Sequence, residues 1–276
     1  MSNETKTPTN ETQPAAEKPL LLEVTEAGAG IITLNRPEVH NAFDDNLISD
    51  LTDALKQVDE DPRVRLIVLR SNGKSFSAGA DLNWMRRMAD YSWDENYQDS
   101  LALATLMQSL HTSYKPTLGI VQGAAFGGGV GLVACCDMVI ASEKALFSLS
   151  EVKLGLIPSV ISPYVIEAIG KRQANRYFVT AERFDAQRAH QMGLVHEVVA
   201  ADELENYAND FIKNILSNGP EAIKAAKLLI EVVTELGMGE ELIRETAQRI
   251  ADIRASAEGR EGVTAFLEKR KPNWLK

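Results

Sequence analysis

Residues 118–141 read LGIVQGAAFGGGVGLVACCDMVIA, and this stretch decides the fold class. Residues 118–121 are a short apolar run, the length and composition of a strand covered on both faces. Residues 127–135 open on glycines and continue in small and apolar residues, which reads as a helix with a glycine-rich start. Residues 138–141 form a second buried strand. Working outward, residues 64–69 are another buried strand just behind Pro62, and residues 20–24 with 30–34 form a hairpin. Phe43, Leu47, Leu51, Leu55 and Val58 recur at helical spacing, and a further helix covers residues 97–111. Strands alternating with helices imply right-handed parallel crossovers and an α/β class.

From Asp202 onward the pattern is helix after helix, over residues 204–216, 221–236, 240–257 and 259–269. Such a segment encloses too little core to stand alone, so it is expected to pack on the main body or on further copies of the chain. Residues 1–19 are rich in Thr, Asn, Glu, Pro and Ala and lack the apolar surface to offset ordering. The expected organisation is a disordered tail over 1–19, an α/β core over 20–201 and a helical oligomerisation region over 202–276.

The 276 residues carry a net charge of −10, which argues against a nucleic-acid partner. No apolar run is long enough to span a bilayer, and the N-terminal stretch lacks the apolar core of a signal peptide. The two cysteines, Cys135 and Cys136, are adjacent among apolar neighbours and read as small core residues in a reducing, cytoplasmic protein. The histidines (His40, His111, His190 and His196) are scattered, and no Cys/His spacing suggests a metal. The run from Gly127 to Gly131 satisfies neither the phosphate-loop nor the dinucleotide pattern.

Two glycine-containing turns remain, each behind a strand: KSFSAGADL (74–82) and GAAFGGG (123–129). In a parallel sheet, ligands bind beyond the carboxyl ends of the strands. A helix starting at glycines points N–H groups at such a ligand, and two N–H groups converging on one carbonyl form an oxyanion hole. Taken singly, each stretch reads first as a tight turn of small residues.

Taken together, they resemble the enoyl-CoA hydratase/isomerase (crotonase) superfamily. The likeness rests on NAF (41–43), FSAGADL (76–82), GAAFGGG (123–129), CD (136–137), FSLSE (147–151), LGLIP (154–158) and EGVTAFLEKR (261–270). It implies a spiral of ββα turns followed by a C-terminal helical trimerisation region, assembled as a trimer or a dimer of trimers. By motif position, Ala80 and Gly128 match the two N–H groups that hold a thioester oxygen. Ala78 and Leu82 match contacts to the adenine end of coenzyme A, and the residues just before Asn41 match a segment near its phosphates. The resemblance implies no cofactor beyond the coenzyme A that the substrate carries.

The catalytic carboxylates depart from the family pattern. Many hydratases of the family carry two glutamates; here the second is Glu151, but the first position is Gly131. Loss of that side chain is expected to leave a gap for a water or a branched substrate. Local likeness is greatest to bacterial methylglutaconyl-CoA and carboxygeranoyl-CoA hydratases of leucine and acyclic-terpene breakdown. A substrate of that kind carries a second carboxylate, for which Lys153, Arg86 and Arg87 are the candidate cations. The leading expectation is hydration of an α,β-unsaturated acyl-CoA. Double-bond isomerisation by the single glutamate is the alternative, and a non-catalytic acyl-CoA- or RNA-binding protein the third reading.

Overall fold

The computed structural model describes residues 18–275, so most of the tail expected over residues 1–19 lies outside the described residues. Strands β1 (Leu20–Val24) and β2 (Ala29–Leu34) form the expected antiparallel hairpin, with Leu20 opposite Leu34. Helix α1 (Asp45–Glu60) follows, capped by Asp44, whose carboxylate accepts from the Leu47 N–H at 2.8 Å. The chain then winds in turns of two strands followed by one or two helices. One turn is β3 (Leu66–Ser71), β4 (Ser75–Ser77), α2 (Leu82–Met88) and α3 (Trp93–His111). The next is β5 (Thr117–Val121), β6 (Ala124–Phe126) and α4 (Gly128–Cys135), and a third is β7 (Met138–Ser142), β8 (Leu146–Ser148) and α5 (Ser162–Thr180). Strand β9 (Phe184–Asp185), α6 (Ala186–Met192) and β10 (Glu197–Val199) complete the core.

In each of these three turns the first strand joins a six-stranded sheet, in the order β1-β2-β3-β5-β7-β10, and the second joins a four-stranded sheet, β4-β6-β8-β9. Every pairing in the large sheet beyond the hairpin is parallel, as the alternating pattern requires. Successive turns stack closely: a Cβ on Gly123 would overlap the Lys74 carbonyl oxygen, which is why the second turn begins with glycine.

The large sheet is covered on both faces, and its strands alternate between two cores. Ile67, Leu69, Val121, Val139 and Ala141 point toward α1, α3, α4 and the small sheet, while Leu66, Val68, Leu118, Ile120 and Ile140 point the other way. Helix α7 (Leu204–Leu216) covers this second face with Leu204, Ala208 and Leu216, so the first of the C-terminal helices is part of the core. Helices α8 (Pro220–Glu235), α9 (Glu240–Ala255) and α10 (Ala257–Leu267) follow. On α8, Lys227 reaches back to Asp137 at 2.7 Å. The same Asp137 oxygen accepts from the Thr117 N–H at 2.7 Å.

The strand expected from residue 64 begins at Leu66, because the Val64 N–H closes a turn on the Asp61 carbonyl at 3.0 Å. Cys135 and Cys136 are buried free thiols, and burial pushes both well above their ordinary range. Among the described residues no helix is long and apolar enough to cross a membrane.

Candidate active site

The small sheet assembles the site. Strands β4, β6 and β8 are adjacent and parallel, with Ser77 beside Ala125, Ala125 beside Phe147 and Phe126 beside Ser148. Their carboxyl ends therefore deliver three segments to one place: 78–82, the glycine run from Gly127, and 149–154. This is the end of a parallel sheet where ligands bind. Close packing confirms the convergence. A Cβ on Gly79 would lie 3.2 Å from the Phe126 carbonyl oxygen, one on Gly129 would lie 2.9 Å from that of Ser77, and one on Gly127 would lie 3.1 Å from Glu151 Oε1. Gly127 also has φ of 51°, a conformation that favours glycine.

Phe43 organises the first segment. Its N–H donates to the Gly79 carbonyl at 2.7 Å, and its carbonyl accepts from the Asp81 N–H at 2.7 Å. In this parallel bridge the flanking residues bond to Phe43, so the N–H of Ala80 between them is turned to the opposite side. The Phe43 ring also meets Gly128, whose added Cβ would be 3.3 Å from the ring edge. One residue thus fixes both predicted donors. Gly128 is the first residue of α4, where an N–H has no partner within the helix. Among the described residues neither N–H donates to a protein acceptor.

The loop before Phe43 is held rigidly. Asn41, fully buried at φ of 54°, accepts from the Arg36 N–H at 2.7 Å and donates to the carbonyls of Asn72 and Ser75 at 2.8 and 2.9 Å. Asp81 caps α2 through the N–H groups of Asn83 and Trp84. Arg36, in the segment expected near the coenzyme phosphates, bonds Asp44 at 2.8 Å and Asp81 at 3.5 Å, so its charge is already matched by two carboxylates.

Glu151 opens a single 3-10 turn directly after β8. Its Oε2 is buried, and among the described residues no donor reaches it. Burial raises the carboxyl above its ordinary value, opposed only by a hydrogen bond from its own backbone. A carboxyl group that holds a proton more readily than usual, beside two unengaged N–H groups, is suited to moving a proton on an atom next to a polarised carbonyl.

Comparison with known proteins agrees with this geometry. Residues 24–276 match the enoyl-CoA hydratase/isomerase family. The chain belongs to that family. It is similar to the mitochondrial enoyl-CoA hydratase of Pongo abelii, at 35% identity over 89% of this chain and 83% of that one. It is also similar to the 2,3-dehydroadipyl-CoA hydratase of Escherichia coli K12, at 32% identity over 88% and 94%. Among solved structures, an enoyl-CoA hydratase from Shewanella pealeana superposes with a TM-score of 0.88 at 45% identity, over 93% of this chain and 96% of that one. The α/β fold is thus the crotonase fold, and the chain is an enzyme of the enoyl-CoA hydratase/isomerase family.

Against the family pattern, the remaining expected residues divide. Ala78 and Leu82 flank the Ala80 turn; the Ala78 N–H bonds the His40 carbonyl at 3.0 Å and Leu82 is exposed. Lys153 is exposed two residues after Glu151 and, among the described residues, makes no ion pair. Arg86 donates to Asn83 and Arg87 pairs with Asp45, so both are engaged around α2. The expectation of a gap at Gly131 is corrected. A Cβ there would overlap Ile161 Cγ2 outright and lie 2.9 Å from Ile161 Cβ and 3.1 Å from Met107 Cε. Ile161 itself is 3% exposed, so the space is filled rather than open. Sequence reasoning missed this role of Ile161, since a contact between a loop and a helix 30 residues away leaves no periodic signal. It also missed Phe43 as the residue joining both donors.

Proposed function

We propose that the protein adds water across the double bond of an α,β-unsaturated acyl-CoA, with Ala80 and Gly128 as the oxyanion hole and Glu151 as the proton-transferring residue. The observation that carries this reading is Glu151, whose buried Oε2 meets no donor among the described residues, delivered beside two unengaged backbone N–H groups by three parallel strands. The thioester oxygen accepts from both N–H groups, so charge that develops there as C3 is attacked is stabilised without reorganisation. Glu151 takes the proton of the attacking water and returns one to C2; its raised proton affinity suits both steps. Ala78 and Leu82 lie beside the turn where the adenine end of the coenzyme would rest.

The finer substrate proposed is 3-methylglutaconyl-CoA or a related branched, carboxylated enoyl-CoA. The local motif likeness supports it, as does Lys153, an exposed cation two residues beyond Glu151 that makes no ion pair among the described residues. The assembly proposed is a trimer or a dimer of trimers, and the compartment the cytoplasm. One observation favours a second reading. With Ile161 filling position 131, Glu151 is the only carboxylate that the family pattern places at the reacting carbons, and one carboxylate suffices to shift a double bond between C2 and C4.

The deciding experiment incubates the protein with 3-methylglutaconyl-CoA, crotonyl-CoA and a 3-enoyl-CoA in deuterated water and reads products by mass spectrometry. Gain of one water by the methylglutaconyl ester, faster than by crotonyl-CoA, is the expected result. Deuterium uptake with a moved double bond and no water gain would replace hydration by isomerisation.

A further inference from the structure

Ile161 packs on α4 close to the site from an unexpected direction. It stands at the N-terminal boundary of α5, ten residues beyond Glu151. Along that path the chain meets α4 twice: Glu151 Oε1 lies against Gly127, and Ile161 against Gly131. The two glycines are four residues apart, so the contacts are about one helical turn, roughly 5–6 Å, from each other. Position 131 is four residues beyond Gly127, which places Ile161 on the face of α4 that Glu151 also meets. What fills that place is a β-branched side chain from another element. Met107, fully buried, also reaches position 131, and its Sδ is 3.9 Å from Cys135 Sγ on the next turn of α4. The side chains in this layer are therefore apolar and backed by solid core.

We propose that Ile161 is a specificity-determining residue of the acyl pocket: it supplies, in place of a side chain at position 131, the wall that limits the bulk of the acyl group beyond C3. The proposal rests on the reading of the Ala80, Gly128 and Glu151 site as the acyl-CoA site. A charged group at C4 or beyond would have to turn from this wall toward the Lys153 side of the loop, whereas a small apolar branch would lie against it. Because Ile161 is nearly fully buried against Gly131, shortening it opens space beside α4, and adding a Cβ at position 131 pushes Ile161 outward and narrows that space.

The test measures equilibrium affinities by calorimetry for butyryl-, 3-methylbutyryl- and hexanoyl-CoA, saturated esters that are not hydrated. The full-length protein is compared with Ile161→Val, Ile161→Ala and Gly131→Ala. Ile161→Ala is expected to shift the affinity ratio toward the two bulkier esters by roughly tenfold, the scale at which apolar pockets discriminate added carbons. Ile161→Val is expected to shift it the same way by less, and Gly131→Ala to shift it the opposite way. The valine variant removes one methyl group and keeps the measurement available if the alanine variant does not fold. Unchanged ratios in the folded variants, or no binding of any ester by the wild type, would overturn the proposal. Crotonyl-CoA turnover by the wild type is assayed separately. Its absence alongside altered affinity ratios would remove the hydratase reading and leave the role of Ile161 standing.

Discussion

Burial lifts the Glu151 carboxyl above 4.5, its ordinary value, and leaves Oε2 without a donor. The folded chain therefore binds that proton more tightly than the unfolded chain does. The group favours folding while protonated, and this contribution fades as pH rises through the raised value. At neutral pH the ionised carboxyl weakens the fold at the place where proton transfer needs it. Glu151→Gln is accordingly expected to raise the melting temperature at pH 7 and to lower kcat by roughly 10²–10⁴-fold, with coenzyme A ester binding retained. Calorimetric melting and steady-state kinetics check this; a lower melting temperature in the variant would contradict the burial argument. Wild-type kcat/KM is expected to fall with acid on a limb above 4.5. In the sequence, Glu151 is legible only as the last residue of a motif. Its burial depends on the loop that returns to α4, which no local pattern reveals, and the same loop explains why Gly131 reads as a gap until Ile161 is seen to fill it.

At the scale of elements, the site depends on how closely β4 and α4 approach. A Cβ on Gly129 would lie 2.9 Å from the Ser77 carbonyl oxygen and 3.0 Å from Ser77 Cβ, both on a strand that is itself fully buried. Gly129→Ala must separate the strand that leads to Ala80 from the helix that begins at Gly128. The expected cost is about 1–3 kcal/mol of stability, together with a fall in kcat because the two N–H groups no longer converge. Gly237→Ala, where nothing lies within 4 Å of the added Cβ, is the control and is expected to change neither quantity. Denaturant titration and kinetics on both variants decide the matter; equal behaviour would show that the strand and helix yield freely. The longer elements were legible, since α1 and the large-sheet strands bury one regular face or both. Strands β4, β6 and β8 are three residues each, too short to display alternation, and in the sequence they are indistinguishable from the turns they enter. Helix α5 is broken at Gly170, with φ of 74°, which interrupts its period.

The whole molecule ends in helices that leave much apolar surface uncovered. Helix α8 buries no residue fully, yet it carries Leu228, Ile230 and Val233 exposed; α9 adds Ile243 and Ile250, and α10 adds Phe266, which is 82% exposed, and Leu267. The Lys227–Asp137 pair ties α8 to the end of β7, which fixes its direction but covers little of this surface. Large apolar side chains exposed on three successive helices are expected to meet further copies of the chain. The succession of amphipathic helices underlies the expectation of self-association, but which faces stay uncovered depends on how α8 docks, to which an ion pair between residues 90 positions apart contributes. The expectation is a homo-oligomer, three copies or a multiple of three. Light scattering after size exclusion should give the corresponding multiple of the 30.3 kDa chain mass. Ile230→Asp combined with Ile243→Asp should lower that mass and make the melting temperature depend on protein concentration. A 30.3 kDa monomer in the wild type at micromolar concentration would mean that these helices serve some other contact.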